Sequence, residues 1–93
     1  ARVHAIPIAE FVLAYMLDRA KCLSKFKLAQ QQNHWLSYPE VEALGLQELM
    51  SATVLIIGAG GIGQAIATRA KAFGMRVWGS CLHPRSLSGF DLV

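Results

Sequence analysis

Apolar positions along the chain change period twice, and each change marks an element. From Ile8 the spacing is helical. Glu10, Ala14, Asp18, Lys21 and Lys25 follow one narrow polar stripe, while Phe11, Val12, Leu13, Tyr15, Met16, Leu17, Ala20, Leu23 and Phe26 cover most of the remaining girth. A helix this apolar is expected to be buried on several sides. Pro7 suits its first turn, where the missing N–H would be an orphan anyway, and the polar stretch from Gln30 to Asn33 marks its end. Such a helix is about 35 Å long, enough to link two domains. A loop with two aromatics, Trp35 and Tyr38, follows, and Trp35 in polar surroundings reads as an interface anchor. Residues 41–50 read as irregular, with Gly45 at a turn and Leu44, Leu46 and Leu49 covering an edge of a sheet.

The second change begins at Thr53. The run Thr53-Val54-Leu55-Ile56-Ile57 is apolar and β-branched, as a buried strand requires. Helical spacing returns from Gln64 to Phe73, with Ile62, Ala65, Ile66, Ala70 and Phe73 inward and Gln64, Thr68, Arg69 and Lys71 outward. Gly74 ends that helix as a left-handed cap would. Residues 75–79 form a second strand, residues 83–89 a loop, and residues 90–93 the approach to a third strand. Right-handed crossover makes the first two strands parallel neighbours. The predicted class is α/β: the first βαβ portion of a Rossmann-type, doubly wound parallel sheet, preceded by a long interdomain helix. Residues 1–33 are the lead-in and crossing helix, 34–52 an arm, and 53–93 the βαβ unit of a partial nucleotide-binding domain.

Between the strand and its helix stands Gly58-Ala59-Gly60-Gly61-Ile62-Gly63. Strand, glycine turn and helix in that order is the context in which G-x-G-x-x-G binds a dinucleotide. Gly58 turns the chain out of the strand, Gly60 lets backbone approach a pyrophosphate, and Gly63 lets the helix pack close to the strand. Free N–H groups near Gly61 and Ile62, backed by the helix dipole, face the phosphates.

Composition sharpens the picture. Hydrophobic residues make up 54% of the 93 and charged residues only 16%, so the chain wants to bury more than its own small core can hide. It reads as a fragment, or as a surface meant for a partner. The net charge of +3 is spread along the chain, which argues against a nucleic-acid interface and suits an anionic cofactor. Cys22 and Cys81 lack metal-ligand spacing and read as reduced thiols, so the expected location is the cytoplasm. The apolar run from Phe11 to Leu17 is too short to span a bilayer, and no metal site is expected.

Three stretches together resemble the D-isomer-specific 2-hydroxyacid dehydrogenase family. His4-Ala5-Ile6-Pro7-Ile8-Ala9-Glu10-Phe11-Val12-Leu13-Ala14 is similar to the family's x-x-V-A-E-x-x-L-A helix entry. Trp35 stands like the tryptophan after that helix. Ser51-Ala52-Thr53 through Gly63, and on to Phe73-Gly74-Met75-Arg76-Val77, resembles the block G-K-T-V-G-I-I-G-x-G-x-I-G…F-G-M-x-V. The resemblance implies an oxidoreductase that moves a hydride between NAD or NADP and a 2-keto or D-2-hydroxy acid. It implies a homodimer joined through the Ile8–Gln31 helix and the Trp35 region. It also places the family's catalytic arginine, glutamate and histidine on segments beyond Val93, so no catalytic residue is assigned here. His4, His34 and His83 read as surface or loop histidines.

Two positions depart from the family pattern. Where many members carry an aspartate for the adenosine ribose, this chain has Cys81, and Arg85 follows a few residues on. Loss of the acid removes the repulsion against a 2′-phosphate, and Arg85 could meet one. The expected cofactor site is therefore Gly58, Gly60, Gly61, Ile62, Gly63, Cys81 and Arg85, with NADP accepted. Gly61, where many members have a polar or basic residue, leaves only backbone for the pyrophosphate. Two competing readings remain at this point. One is a non-catalytic dimerisation or nucleotide-binding fragment. The other is an ATP-using, adenylyl-transferring activating enzyme, which shares the strand and turn but normally has an acid after the second strand.

Overall fold

The computed structural model describes residues 2–58, 60–80 and 89–93, the side chains of Arg2 and Val3 excepted. Among the described residues the elements follow in the order α1 (Arg2–Lys21), α2 (Leu23–Gln31), α3 (Tyr38–Ala43), β1 (Thr53–Ile57), α4 (Gly61–Ala72) and β2 (Arg76–Ser80). β1 and β2 pair in parallel, from Thr53 opposite Arg76 to Ile57 opposite Ser80. This is the predicted βαβ unit, with β2 one residue later than expected.

The long helix differs from its prediction in two ways. It starts at Arg2, so Pro7 lies inside it rather than at its first turn. Ala5 and Ala9, one turn apart on one face on either side of Pro7, are both buried. The helix also breaks at Cys22, whose φ of 54° is left-handed. The hydrogen bonds explain the break. In a continuous helix Ser24 N–H would donate to the Ala20 carbonyl. Here that carbonyl accepts Gln47 N–H at 2.9 Å, and Ser24 N–H donates instead to Asp18 Oδ1 at 3.0 Å. Nothing in the local spacing foretells it, because the competing donor lies 27 residues downstream of the carbonyl.

α3 lies in a stretch read partly as loop and partly as irregular. Its Ser37 side chain accepts Glu40 N–H, and the Glu40 carboxylate accepts Ser37 N–H at 3.0 Å, closing a capping box. The Ser37-x-x-Glu40 pair with Pro39 at the helix start is the signal that periodicity alone passes over. Of the leucines expected to cover the sheet, Leu49 packs against the core, while Leu46 remains exposed.

The core is small: Ile56, Ala67, Ala70, Met75 and Val77, flanked by Met16, Leu49, Val54, Ile66 and Phe90. α4 lies against both the sheet and α1. It therefore buries Gly63, Ala67 and Ala70, rather than the wider stripe predicted, and Phe73 is largely exposed. α1 meets α4 through Ala5, Ala9 and Leu13, but within this chain its other apolar positions stay open, Phe11 being 75% exposed. The sheet face bearing Leu55, Ile57 and Trp78 is open too. Expected burial on several sides is thus absent within the chain itself.

Where the approach to a third strand is predicted, the structure has one isolated bridge. Leu92 bridges Trp78 in parallel, and Gly79 N–H donates to the Leu92 carbonyl at 2.7 Å. A Cβ on Gly79 would stand 2.6 Å from the Phe90 ring, so a side chain there would have to displace that ring. Asp91 fastens the return: its carboxylate accepts Lys71 Nζ and Val77 N–H, each at 2.7 Å.

Those bonds predict the acid response. Lys71 first, then the Val77 N–H, hold the Asp91 carboxyl below its usual range. The Ser37 backbone N–H first, then His34, lower that of Glu40 to about 2. Both folded values are depressed, so their stabilisation is complete above the unfolded values, roughly pH 4. It is lost as pH falls through the folded values. Urea unfolding followed from neutral pH down to about pH 2 should show falling stability across that window, and Asp91→Asn should flatten the fall.

Candidate functional site

The glycine turn is assembled at the C-terminal end of the sheet. β1 ends at Ile57, and Gly58 takes a φ of 93°, a conformation open mainly to glycine. Gly58 N–H donates to the Ser80 carbonyl at 2.7 Å, tying the turn to the end of β2. Ser80 was not among the sequence-predicted residues. Its contribution comes from the strand pairing, which no local motif reports.

Gly60 stands at the N-cap of α4, and the first helical bond runs from Gln64 N–H to its carbonyl at 2.8 Å. Gly60 makes no side-chain cap bond to this helix. The backbone N–H groups at its start, Gly61 and Ile62 foremost, therefore face outward with the positive end of the dipole.

Three of the glycines now separate by cause. Gly63 is demanded by the fold: a Cβ there would lie 2.6 Å from the Gly58 carbonyl oxygen and 3.1 Å from Ile56 Cγ2. Among the described residues Gly60 and Gly61 have no such neighbour, since a Cβ at either meets none of their atoms within 4 Å. The φ of Gly60 is −87°, which any residue adopts. These two bare positions beside uncapped N–H groups leave an open cradle. The geometry fits an anionic group such as a diphosphate, held by backbone alone.

Of the predicted cofactor residues, the structure brings together Gly58, Gly60, Gly61, Ile62 and Gly63. Cys81 and Arg85 lie outside the described residues. His83 lies outside them as well. His4 is exposed, and His34 is committed to Glu40, with Nε2 2.9 Å from Oε2. Among the described residues no cluster of His, Cys, Asp and Glu could hold a metal ion, and no helix is long and apolar enough to cross a membrane. An apolar groove of about 580 Å³, lined by Phe26, Ala29, Trp35, Leu36 and Val41, lies away from the turn between α2 and α3.

Comparison with known proteins gives a consistent result. The family described as D-isomer specific 2-hydroxyacid dehydrogenase, NAD binding domain, matches residues 13–90. A hydroxypyruvate reductase from Thermotoga maritima is 36% identical over 70 residues, covering 75% of this chain and 22% of the relative. Among solved structures, a D-isomer specific 2-hydroxyacid dehydrogenase family protein from Aeromonas salmonicida superposes with a TM-score of 0.78 at 37% identity, over 90% of this chain and 25% of that one. A glycerate dehydrogenase related protein from Thermoplasma acidophilum gives 0.83 at 28% identity, over 100% and 31%. The chain thus spans between a fifth and a third of the length of these proteins.

The contrast between glycines is directly testable. Gly63→Ala should destabilise the fold by about 1–3 kcal/mol, because backbone must move to admit the methyl group. Gly61→Ala should be neutral or stabilising by at most about 1 kcal/mol, since alanine is the better helix former. Urea unfolding of the two variants beside the parent chain makes the comparison.

Proposed function

The chain belongs to the D-isomer specific 2-hydroxyacid dehydrogenase family, and from that premise we propose that it is the dinucleotide-holding part of an oxidoreductase that transfers a hydride between NAD(P) and a 2-keto or D-2-hydroxy acid. NAD(P) is the cofactor class of this domain family. The observation that carries the reading is the open cradle at Gly60 and Gly61, next to uncapped helix N–H groups. When bound, the dinucleotide supplies the hydride acceptor or donor. The chain's own part is to bind and orient: Gly61 and Ile62 N–H groups hold the diphosphate, and Gly58 and Gly63 set where that helix end stands.

For the ribose end, the proposal assigns Cys81 and Arg85. A neutral residue in place of the usual acid, followed by a guanidinium, favours a 2′-phosphate, so NADP is accepted. Acid–base chemistry requires a proton donor poised at the substrate carbonyl. In this reading it is supplied by the family's arginine, glutamate and histidine outside these 93 residues. The 93 residues alone would hold cofactor without turnover.

The exposed apolar side of α1 and the fully exposed Trp35 support a homodimer formed through the Ile8–Gln31 segment and the Trp35 region. Free Cys22 fits a reducing compartment, and the cytoplasm is the proposed location.

Titration of the chain with NADPH and NADH, followed by tryptophan fluorescence, tests the cofactor reading. Tighter NADPH binding is expected. Arg85→Ala should weaken NADPH by about tenfold or more, the loss of one charge-assisted bond, and leave NADH unchanged. Clearly tighter NADH binding would overturn the NADP assignment, and binding of ATP but neither dinucleotide would overturn the oxidoreductase reading. Oxidation of NADPH by the 93 residues with glyoxylate or hydroxypyruvate would refute the absence of turnover. Sedimentation of the chain and of Trp35→Ala reads the dimer, which the variant should weaken.

A further inference from the structure

Residues 23–44 form a body of their own. Among the described residues, α2 packs on no element except α1, and α3 packs on no other helix or strand. Inside the segment the bonding is dense. His34 N–H donates to the Ala29 carbonyl at 2.8 Å and Asn33 N–H to the Gln30 carbonyl at 3.0 Å, which closes the end of α2. The His34 ring meets the Glu40 carboxylate, and Glu40 in turn completes the capping box with Ser37. The turn carrying Trp35 is therefore stapled to both helices.

Left-handed residues bound this body, Cys22 with a φ of 54° at one end and Gly45 with a φ of 71° at the other; a third, Asn33 with a φ of 56°, lies inside it, where its N–H is bonded to the Gln30 carbonyl. Among the described residues nothing lies within 4 Å of where a Gly45 Cβ would be, so it is the backbone conformation that favours glycine there. Cys22 and Gly45 are close together, for Cys22 Sγ lies 3.7 Å from the Leu44 carbonyl oxygen. Two neighbouring left-handed residues thus join a stapled body to the rest of the chain. Across that joint α1 extends one side chain with well-formed bonds to α2: Asp18, which accepts Ser24 N–H at 3.0 Å and Ser24 Oγ–H at 3.0 to 3.1 Å. Asp18 does for α2 what an N-cap residue normally does, from the preceding helix, because the Cys22 side chain at the N-cap makes no cap bond to α2.

We propose that residues 23–44 are a rigid arm hinged at Cys22 and Gly45, and that the Asp18 carboxylate is the latch that sets its angle to α1. Hinges are commonly a few element-terminal residues that absorb the change in φ and ψ, as these two are placed to do. The latch determines the direction in which Trp35, 93% exposed, is presented. This inference rests on the geometry of the arm and is independent of any cofactor.

Residual dipolar couplings of the isotope-labelled chain test it. In the parent chain the amides of α1, α2 and α4 should fit one alignment tensor. In Asp18→Ala the couplings of residues 23–44 should shrink at least twofold, while those of α4, β1 and β2 stay unchanged. Amide-exchange protection inside α2 should persist beyond its first turn. Asp18→Asn, which keeps an acceptor oxygen, should fall between. Should Asp18→Ala fail to fold, Ser24→Ala, which loses only the hydroxyl bonds, should show a smaller reduction of the same kind. Unchanged arm couplings in the variant that folds would overturn the latch. A matching change in α4 and β1, or lost protection throughout α2, would overturn the rigid arm.

Discussion

The distance between the first turn of α4 and the end of β1 is the constraint on which this structure turns. Gly63 sits so close to the Gly58 carbonyl that one added methyl group would stand 2.6 Å from its oxygen. That approach brings the uncapped start of α4 directly over the end of the sheet. It also lets α4 lie flat enough for Ala67 and Ala70 to be completely buried. With no bulk at those positions, α1 can close on the opposite side through Ala5, Ala9 and Leu13. The nucleotide cradle and the helix-on-helix packing are therefore two results of the same lack of side-chain volume.

Much of this was legible in the sequence where the cause is local. The β-branched run from Thr53, the glycines after it and Gly74 as a left-handed cap each carry their own backbone requirement, and the βαβ unit follows from their order. The third glycine of the turn was assigned close packing, and the Gly63 contacts show it. The break at Cys22 was not legible, because it depends on Gln47 reaching the Ala20 carbonyl from a distant loop. The face of α4 was misjudged for a related reason. Periodicity assumes one buried side, whereas this helix is covered by both sheet and α1, and the small residues are the ones between layers. The α3 helix was legible through its capping box and was passed over because six residues carry too little periodicity to register.

The site divides in the same way. Gly58, Gly60, Gly61, Ile62 and Gly63 stand together because a turn is contiguous. Ser80 joins them through the strand register, which no local motif reports. Family membership then adds what the turn cannot say alone: that these residues belong to the NAD-binding domain family of the D-isomer specific 2-hydroxyacid dehydrogenases. The apolar girth of α1, read as burial on several sides, is instead largely open within this chain, because only the face with Ala5, Ala9 and Leu13 is buried.

The uncovered sheet has a consequence for the chain handled by itself. β1 is five residues without a charge, a proline or a glycine, and among the described residues only β2 pairs with it. Its outer hydrogen-bonding edge and one side-chain face, with Ile57 82% exposed, are both available at once. That combination is what templates strand addition from a neighbouring molecule. The same β-branched run that builds the cofactor turn is thus the segment from which insoluble assemblies would nucleate, and a charged residue in place of Leu55 or Ile57 is where a soluble form of the isolated chain would begin.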